Sequence, residues 1–205
     1  VGASAVASLA VWRESLRRLK LNNASLGDEG AAEFGRYTWR VKRLSLNHND
    51  ITVRGVRALI ARPVLSELKT LALSENPLGA RGGAALATAG HLRRISTLLL
   101  DDVWEVEGAS LPFLSGLESA KFDGLLRLSL SRDGLGDQGV QRLSGFSGLR
   151  RLSHLMLSGN GISDRGVSAL VAACSAGALK VLDLRGNRIG GAGVRQLLSE
   201  RSLDH

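Results

Sequence analysis

The 205-residue chain carries 27 basic and 19 acidic side chains for a formal charge of +8, is 44% hydrophobic and 4% aromatic, and has 25 glycines and one cysteine. So large an apolar fraction excludes a disordered tail, and a lone cysteine excludes an internal disulfide framework. No apolar run approaches the roughly 18 residues of a membrane span, and no charged segment followed by an apolar one opens the chain as a signal peptide would, so a reducing, cytoplasmic location is the expectation. Of the cations 22 are arginine and five lysine, a bias that a GC-rich genome explains as well as a polyanionic ligand does.

In chain order, residues 1–15 read as the helical half of a preceding unit, because Gly2 stands 14 residues before Leu16, close to the 13 between Gly166 and Leu179. From Leu16 a frame L-x-x-L-x-L-x-x-N-x-L-x-x-x-G begins, and it returns from Val41, Leu68, Ile95, Leu125, Leu152 and Leu179, at spacings of 25, 27, 27, 30, 27 and 27 residues. Val41, Leu44, Leu46, Asn49, Ile51 and Gly55 fill it in the second copy, and Leu68, Leu71, Leu73, Asn76, Leu78 and Gly82 in the third. The sixth (Leu152, Leu155, Leu157, Asn160, Ile162, Gly166) and seventh (Leu179, Leu182, Leu184, Asn187, Ile189, Gly193) match equally well.

Each copy reads as a short strand followed by a helix. Leu44 and Leu46 alternate at period 2 and point one way, while Arg43, Ser45 and Asn47 point the other. The asparagine can donate to and accept from loop backbone groups. Beyond the glycine the period becomes helical, as in Val56, Leu59, Ile60 or Val167, Leu170, Val171; Asp28, Asp137 and Asp164 stand ahead of helices as caps, and Pro63 stops the second helix. Stacked strands lie about 4.8 Å apart but packed helices need roughly 8–10 Å, so the stack must bend. The expected fold is a single α/β solenoid domain over residues 1–205, a horseshoe arc with parallel strands on the concave face and helices on the convex face. Seven strands give an inner arc of roughly 30 Å. Neither end shows a polar cap, so the chain is expected to be a fragment of a longer solenoid.

Three copies depart from the asparagine, carrying Ala24, Val103 and Asp133, and the fourth departs most. After Leu100 comes Asp101-Asp102-Val103-Trp104-Glu105-Val106-Glu107, then Gly108 one place early, and Pro112 enters the expected helix. One reading is drift in a tolerant loop. The sharper one makes Trp104, with Asp101, Asp102 and Leu99, an acidic, aromatic anchor for a partner, since tryptophan is enriched among binding hot spots.

The frame, the 27-residue spacing and the segments L-G-D-E-G and I-S-D-R-G resemble leucine-rich repeats of the ribonuclease-inhibitor-like type, over residues 16 to 205. That resemblance implies a protein-binding scaffold, as in enzyme inhibitors, the sensing parts of nucleotide-binding immune receptors and activators of small GTPases.

No catalytic, metal or cofactor site emerges beside it. His48, His91, His154 and His205 are scattered, Cys174 lies on an apolar helical face as a small core residue, and the glycines at 79–83 and 190–193 lack phosphate-loop spacing. At concave-facing and immediately following positions, Arg18, Lys20, Arg43, Arg127, Arg132 and Arg185 stand against Glu75, Asp101, Asp102 and Asp183, so only +2 of the +8 lies there, with an acidic centre and basic ends. A nucleic-acid groove would want continuous positive charge and stacking aromatics. The expectation is therefore a non-enzymatic module without cofactor, holding a protein partner on its concave face. The residues expected to meet the partner are Asn22, Arg43, Asn47, His48, Ser74, Glu75, Leu99, Asp101, Asp102, Trp104, Arg127, Ser129, Arg132, His154, Met156, Asp183 and Arg185. Polyanion binding by the basic convex surface and regulation of a small GTPase are the alternatives.

Overall fold

A computed structural model describes residues 2–104, 108–119, 122, 124–174 and 178–199. Each L-x-x-L-x-L segment contains a three-residue strand: β1 (Arg18–Lys20), β2 (Arg43–Ser45), β3 (Thr70–Ala72), β4 (Thr97–Leu99), β5 (Arg127–Ser129), β6 (His154–Met156) and β7 (Val181–Asp183). The seven form one parallel sheet in sequence order. Pairing follows the frame, so that Leu19, Leu44, Leu71, Leu98, Leu128, Leu155 and Leu182 stand in one row. All of that row except Leu182 is buried, because it faces the helices.

The returns run through α1 (Gly2–Leu9), α2 (Gly27–Phe34), α3 (Val53–Ile60), α4 (Gly79–Thr88), α5 (Leu111–Ser119), α6 (Gly136–Ser144), α7 (Asp164–Cys174) and α8 (Gly191–Ser199). Each packs on the next along the stack. Helix α1 packs against α2. One hydrophobic core runs the length of the solenoid between sheet and helices, from Val6 to Val171. Pro112 is the second residue of α5, in the first turn where no backbone donor is needed, and so does not break the helix.

The frame asparagines tie each coil to the one before it. Asn49 Oδ1 accepts from the N–H groups of Ala24 at 2.9 Å and Leu26 at 3.3 Å, and its Nδ2 donates to the carbonyl of Leu21 at 2.6 Å. Asn76 accepts from Asn49 and Ile51 and donates to Leu46, Leu73 and Ser74. Asn160 and Asn187 repeat the arrangement on the coils before them. A primary amide fits because it offers a carbonyl that accepts from two backbone N–H groups and an NH2 that donates to backbone carbonyls, on two separate atoms.

The helix caps also act across coils, which differs from the sequence reading. Asp28 lies inside α2, whose own first residue has no side-chain cap, and its Oδ1 accepts from the N–H of Thr52 and Gly55 of the next unit, both at 2.8 Å. Asp137 does the same for Ser163 and Gly166, and Asp164 for Gly190. This explains the frame glycine in the units that receive such a carboxylate. A Cβ at Gly55 or Gly166 would stand 2.5 Å from the carboxylate of the preceding unit, so the position is kept bare for close approach. Burial works against ionisation of Asp137, but hydrogen bonds from the Ser163 hydroxyl and N–H and from Gly166 outweigh it and hold the carboxyl below its usual value. Asp137→Ala should cost about 1 kcal/mol in chemical unfolding, and the loss should shrink on acidification, because a lowered carboxylate contributes stability that disappears as pH falls through its folded value.

Asp133 holds an asparagine position, where an ionised carboxylate can accept but not donate. Its Oδ1 accepts from Val103 N–H at 2.9 Å, but Oδ2, where Asn160 carries its donating nitrogen, is buried without a partner. Burial, reinforced by the nearby charges of Asp101 and Asp102, pushes the carboxyl up to about 8 from 3.8. A raised carboxylate favours the folded state below the unfolded value, and that advantage is gone once pH has passed the folded value. Asp133→Asn should therefore stabilise the protein, with a gap in melting temperature to the wild type that is wider at about pH 8.5 than at about pH 5. A gap independent of pH would refute this assignment.

Candidate functional site

Because side chains alternate along a strand, each unit turns three positions away from the core: the first and third strand residues and the one two beyond. Register lines them up into rows across the sheet. The first row is Arg18, Arg43, Thr70, Thr97, Arg127, His154, Val181, and the second is Lys20, Ser45, Ala72, Leu99, Ser129, Met156, Asp183. The third is Asn22, Asn47, Ser74, Asp101, Ser131, Ser158, Arg185, two residues beyond each strand. These rows contain no Phe, Trp or Tyr.

Much of the third row bonds to itself. Asn22 Oδ1 accepts from the Ser45 hydroxyl at 2.7 Å and the Asn47 N–H at 3.1 Å, and Asn47 Oδ1 accepts from the Ser74 N–H at 3.1 Å. Ser74 Oγ accepts from the Asp101 N–H at 3.1 Å. Asp101 Oδ1 in turn accepts from the Ser131 N–H at 2.8 Å and from the Ser129 hydroxyl. Ser74 and Ser129 are each only 5% exposed. Asn22, Asn47, Ser74, Asp101 and Ser129, all expected to meet a partner, thus brace neighbouring coils and set the shape of the surface.

His48, Glu75, Asp102 and Arg132 occupy the turn at the edge of this face, each with a positive φ between 54° and 59°. They pair along the edge, His48 Nδ1 with Glu75 at 3.3 Å and Arg132 with Asp102 at 3.6 Å. Arg185 grips Asp183 through two nitrogens, at 2.9 and 2.7 Å, and these hydrogen bonds hold the Asp183 carboxyl below its usual value. The expected acidic centre is consequently spent inside the molecule. Among the described residues of this face, the charges with no hydrogen-bond or ion-pair partner are Arg18, Lys20, Arg43 and Arg127. Arg18 and Lys20 were missing from the partner-facing set, although their register with Arg43 and Ser45 was readable from the repeat spacing.

Trp104 is not on this face. It is 3% exposed, its ring lies 5.4 Å from that of Phe113, and a Cβ on Gly83 of α4 would stand 2.9 Å from its Cζ2. It comes one place before the frame's apolar position, as Gly108 comes one place before the frame's glycine, and fills the core there. The expected aromatic anchor is thus a core residue admitted by the missing side chain of Gly83. Of its three supposed companions, Leu99 is half-buried in the second row, Asp101 is a brace and Asp102 is paired with Arg132.

Other features carry no site chemistry. A hollow of about 830 Å³ lies off the strand face beside Gln138, Gln141, Arg165 and Arg188, but the one carboxylate in it, Asp137, is the helix cap. Burial pushes the Cys174 thiol up to about 11, far from a nucleophile's range. Among the described residues no group of three or more His, Cys, Asp or Glu converges as metal ligands, and no helix is long and apolar enough to cross a membrane. His205 lies outside the described residues.

A family model described as Leucine Rich repeat matches residues 14–35, 41–59, 66–87, 150–171 and 179–198, just over half of the chain. The chain belongs to the leucine-rich repeat family. The matched segments pass over β4 and β5, whose coils carry Val103 and Asp133 at the asparagine position. Among solved structures the fold is similar to an internalin (inlF) from Listeria monocytogenes str. 4b F2365, with a TM-score of 0.53 and 18% identity over 84% of this chain. This chain spans about half of that one, 49%. No curated protein matches the sequence.

Trp104→Ala should lower stability by about 3–5 kcal/mol, as for other buried aromatics, in equilibrium unfolding. Trp104→Phe, which keeps a ring against Phe113 and deletes an indole N–H that has no partner, should lose far less.

Proposed function

We propose that the chain is a non-enzymatic scaffold of the ribonuclease-inhibitor-like type that works in the cytoplasm and holds a protein partner on its strand face. Leucine-rich repeat proteins act generally as protein-interaction scaffolds, and helical returns of eight to eleven residues in every unit support the type. The observation that carries the reading is the division of labour on that face. Asn22, Asn47, Ser74 and Asp101 lock adjacent coils, while Arg127, His154 and Met156 stand on β5 and β6, further along the same sheet. Side chains held by such a frame lose little freedom on binding, which favours affinity. The absence of Phe, Trp and Tyr from the rows disfavours single-stranded nucleic acid, which stacks its bases on aromatics.

Photo-crosslinking residues placed at Met156 or Arg127, compared with Gln141 or Arg57 on the helical side, test this in the native cell. The expected outcome is a discrete protein adduct from the strand positions alone. Adducts only from Gln141 or Arg57 would move the interface to the convex surface and reject the proposal.

A further inference from the structure

The cations left over on the strand face are not spread evenly. Arg18 and Arg43 are direct register partners on adjacent parallel strands, and Lys20 follows Arg18 on the same face. Adjacent strands lie about 4.8 Å apart, so the two guanidinium-bearing side chains rise side by side. Like charges directly opposite each other in a sheet are unfavourable, and such pairs are ordinarily relieved by a nearby acid. None is supplied: all three side chains are exposed, and none has a hydrogen-bond or ion-pair partner, whereas Asp101 and Asp183 on the same face are already engaged. Beside them is a hollow of about 370 Å³, floored by the small Thr70 and Ala72 and by Leu99.

We propose that this end of the strand face, Arg18, Lys20 and Arg43 around the Ala72–Leu99 hollow, is the docking site for an acidic segment of the protein partner. This deepens the scaffold reading and rests on it. In an extended segment, alternate side chains stand about 6.6–6.8 Å apart on one side. Two carboxylates at that spacing reach across the β1–β2 cations, and a small apolar side chain enters the hollow. Nucleic acid is the poorer fit. Thr70 and Thr97 interrupt the first row before Arg127, so the charge forms an island where a phosphate backbone wants a track, and no Phe, Trp or Tyr stands in the rows for a base to stack on.

Fluorescence anisotropy decides it with two labelled probes, a twelve-residue peptide of alternating glutamate and alanine and a twelve-nucleotide oligo-dT. The triple variant Arg18→Glu, Lys20→Glu, Arg43→Glu is compared with Arg57→Glu, Arg142→Glu, Arg195→Glu on the helices, which changes the net charge equally. Wild-type protein should bind the peptide more tightly than oligo-dT. The strand-face variant should weaken peptide binding about tenfold or more, with the helical variant within about twofold of wild type. The milder Arg18→Gln, Lys20→Gln, Arg43→Gln, with an unchanged melting profile, should show the same direction. Equal losses in both triple variants, tighter binding of oligo-dT, or no peptide binding would each overturn the site. If the peptide fails while crosslinks at Met156 persist, this docking site falls and the scaffold reading stands; loss of those crosslinks sinks the scaffold reading itself.

Discussion

The structure depends on side chains that hydrogen-bond one unit's backbone to the next. A three-residue strand forms too few bonds to hold its own coil, and its connecting turns leave backbone groups facing a core where water cannot reach them. Asparagine at the ninth frame position answers both needs. Its carbonyl takes two N–H groups of the preceding coil and its amide nitrogen serves that coil's carbonyl, so each turn is satisfied only when its neighbour is in place. Asp28 and Asp137 add a second tie from helix to following helix, through a gap kept open by Gly55 and Gly166. Stability in such a stack lives largely at interfaces between neighbours.

The same economy shapes the strand face. Polar side chains there are mostly fastened to the adjacent unit, which removes them as independent contacts and leaves the surface rigid. What remains free is chiefly cationic and collects at the β1–β2 end, with Arg127 apart. The overall charge of +8 says little about this. Pairing decides which charges a partner meets, and here the acids are the ones used internally.

The fourth and fifth units show what happens when the frame is broken. Val103 cannot bridge, Asp133 bridges with one oxygen only, and the loop between brings Trp104 into the core. Gly83 supplies the room, so a deviation in one unit is matched by a bare position in the helix before it. The irregularity is thus accommodated by packing, and a local departure from pattern does not by itself mark a binding site.

Strands, their order, their register and the alternation of strand with helix were all legible in the chain, because a leucine period of 2 followed by a helical period, repeated at about 27 residues, admits one way of burying every apolar face. The candidate surface was legible only as a set of positions. Whether Asn22 and Asp101 faced a partner or their own neighbours, whether Asp28 capped its own helix or the next, and whether Trp104 pointed out or in are contacts between residues some 20 to 30 apart, or between a side chain and a missing one at Gly83. Such pairings are made across the stack, so they were settled only once the coils lay against one another.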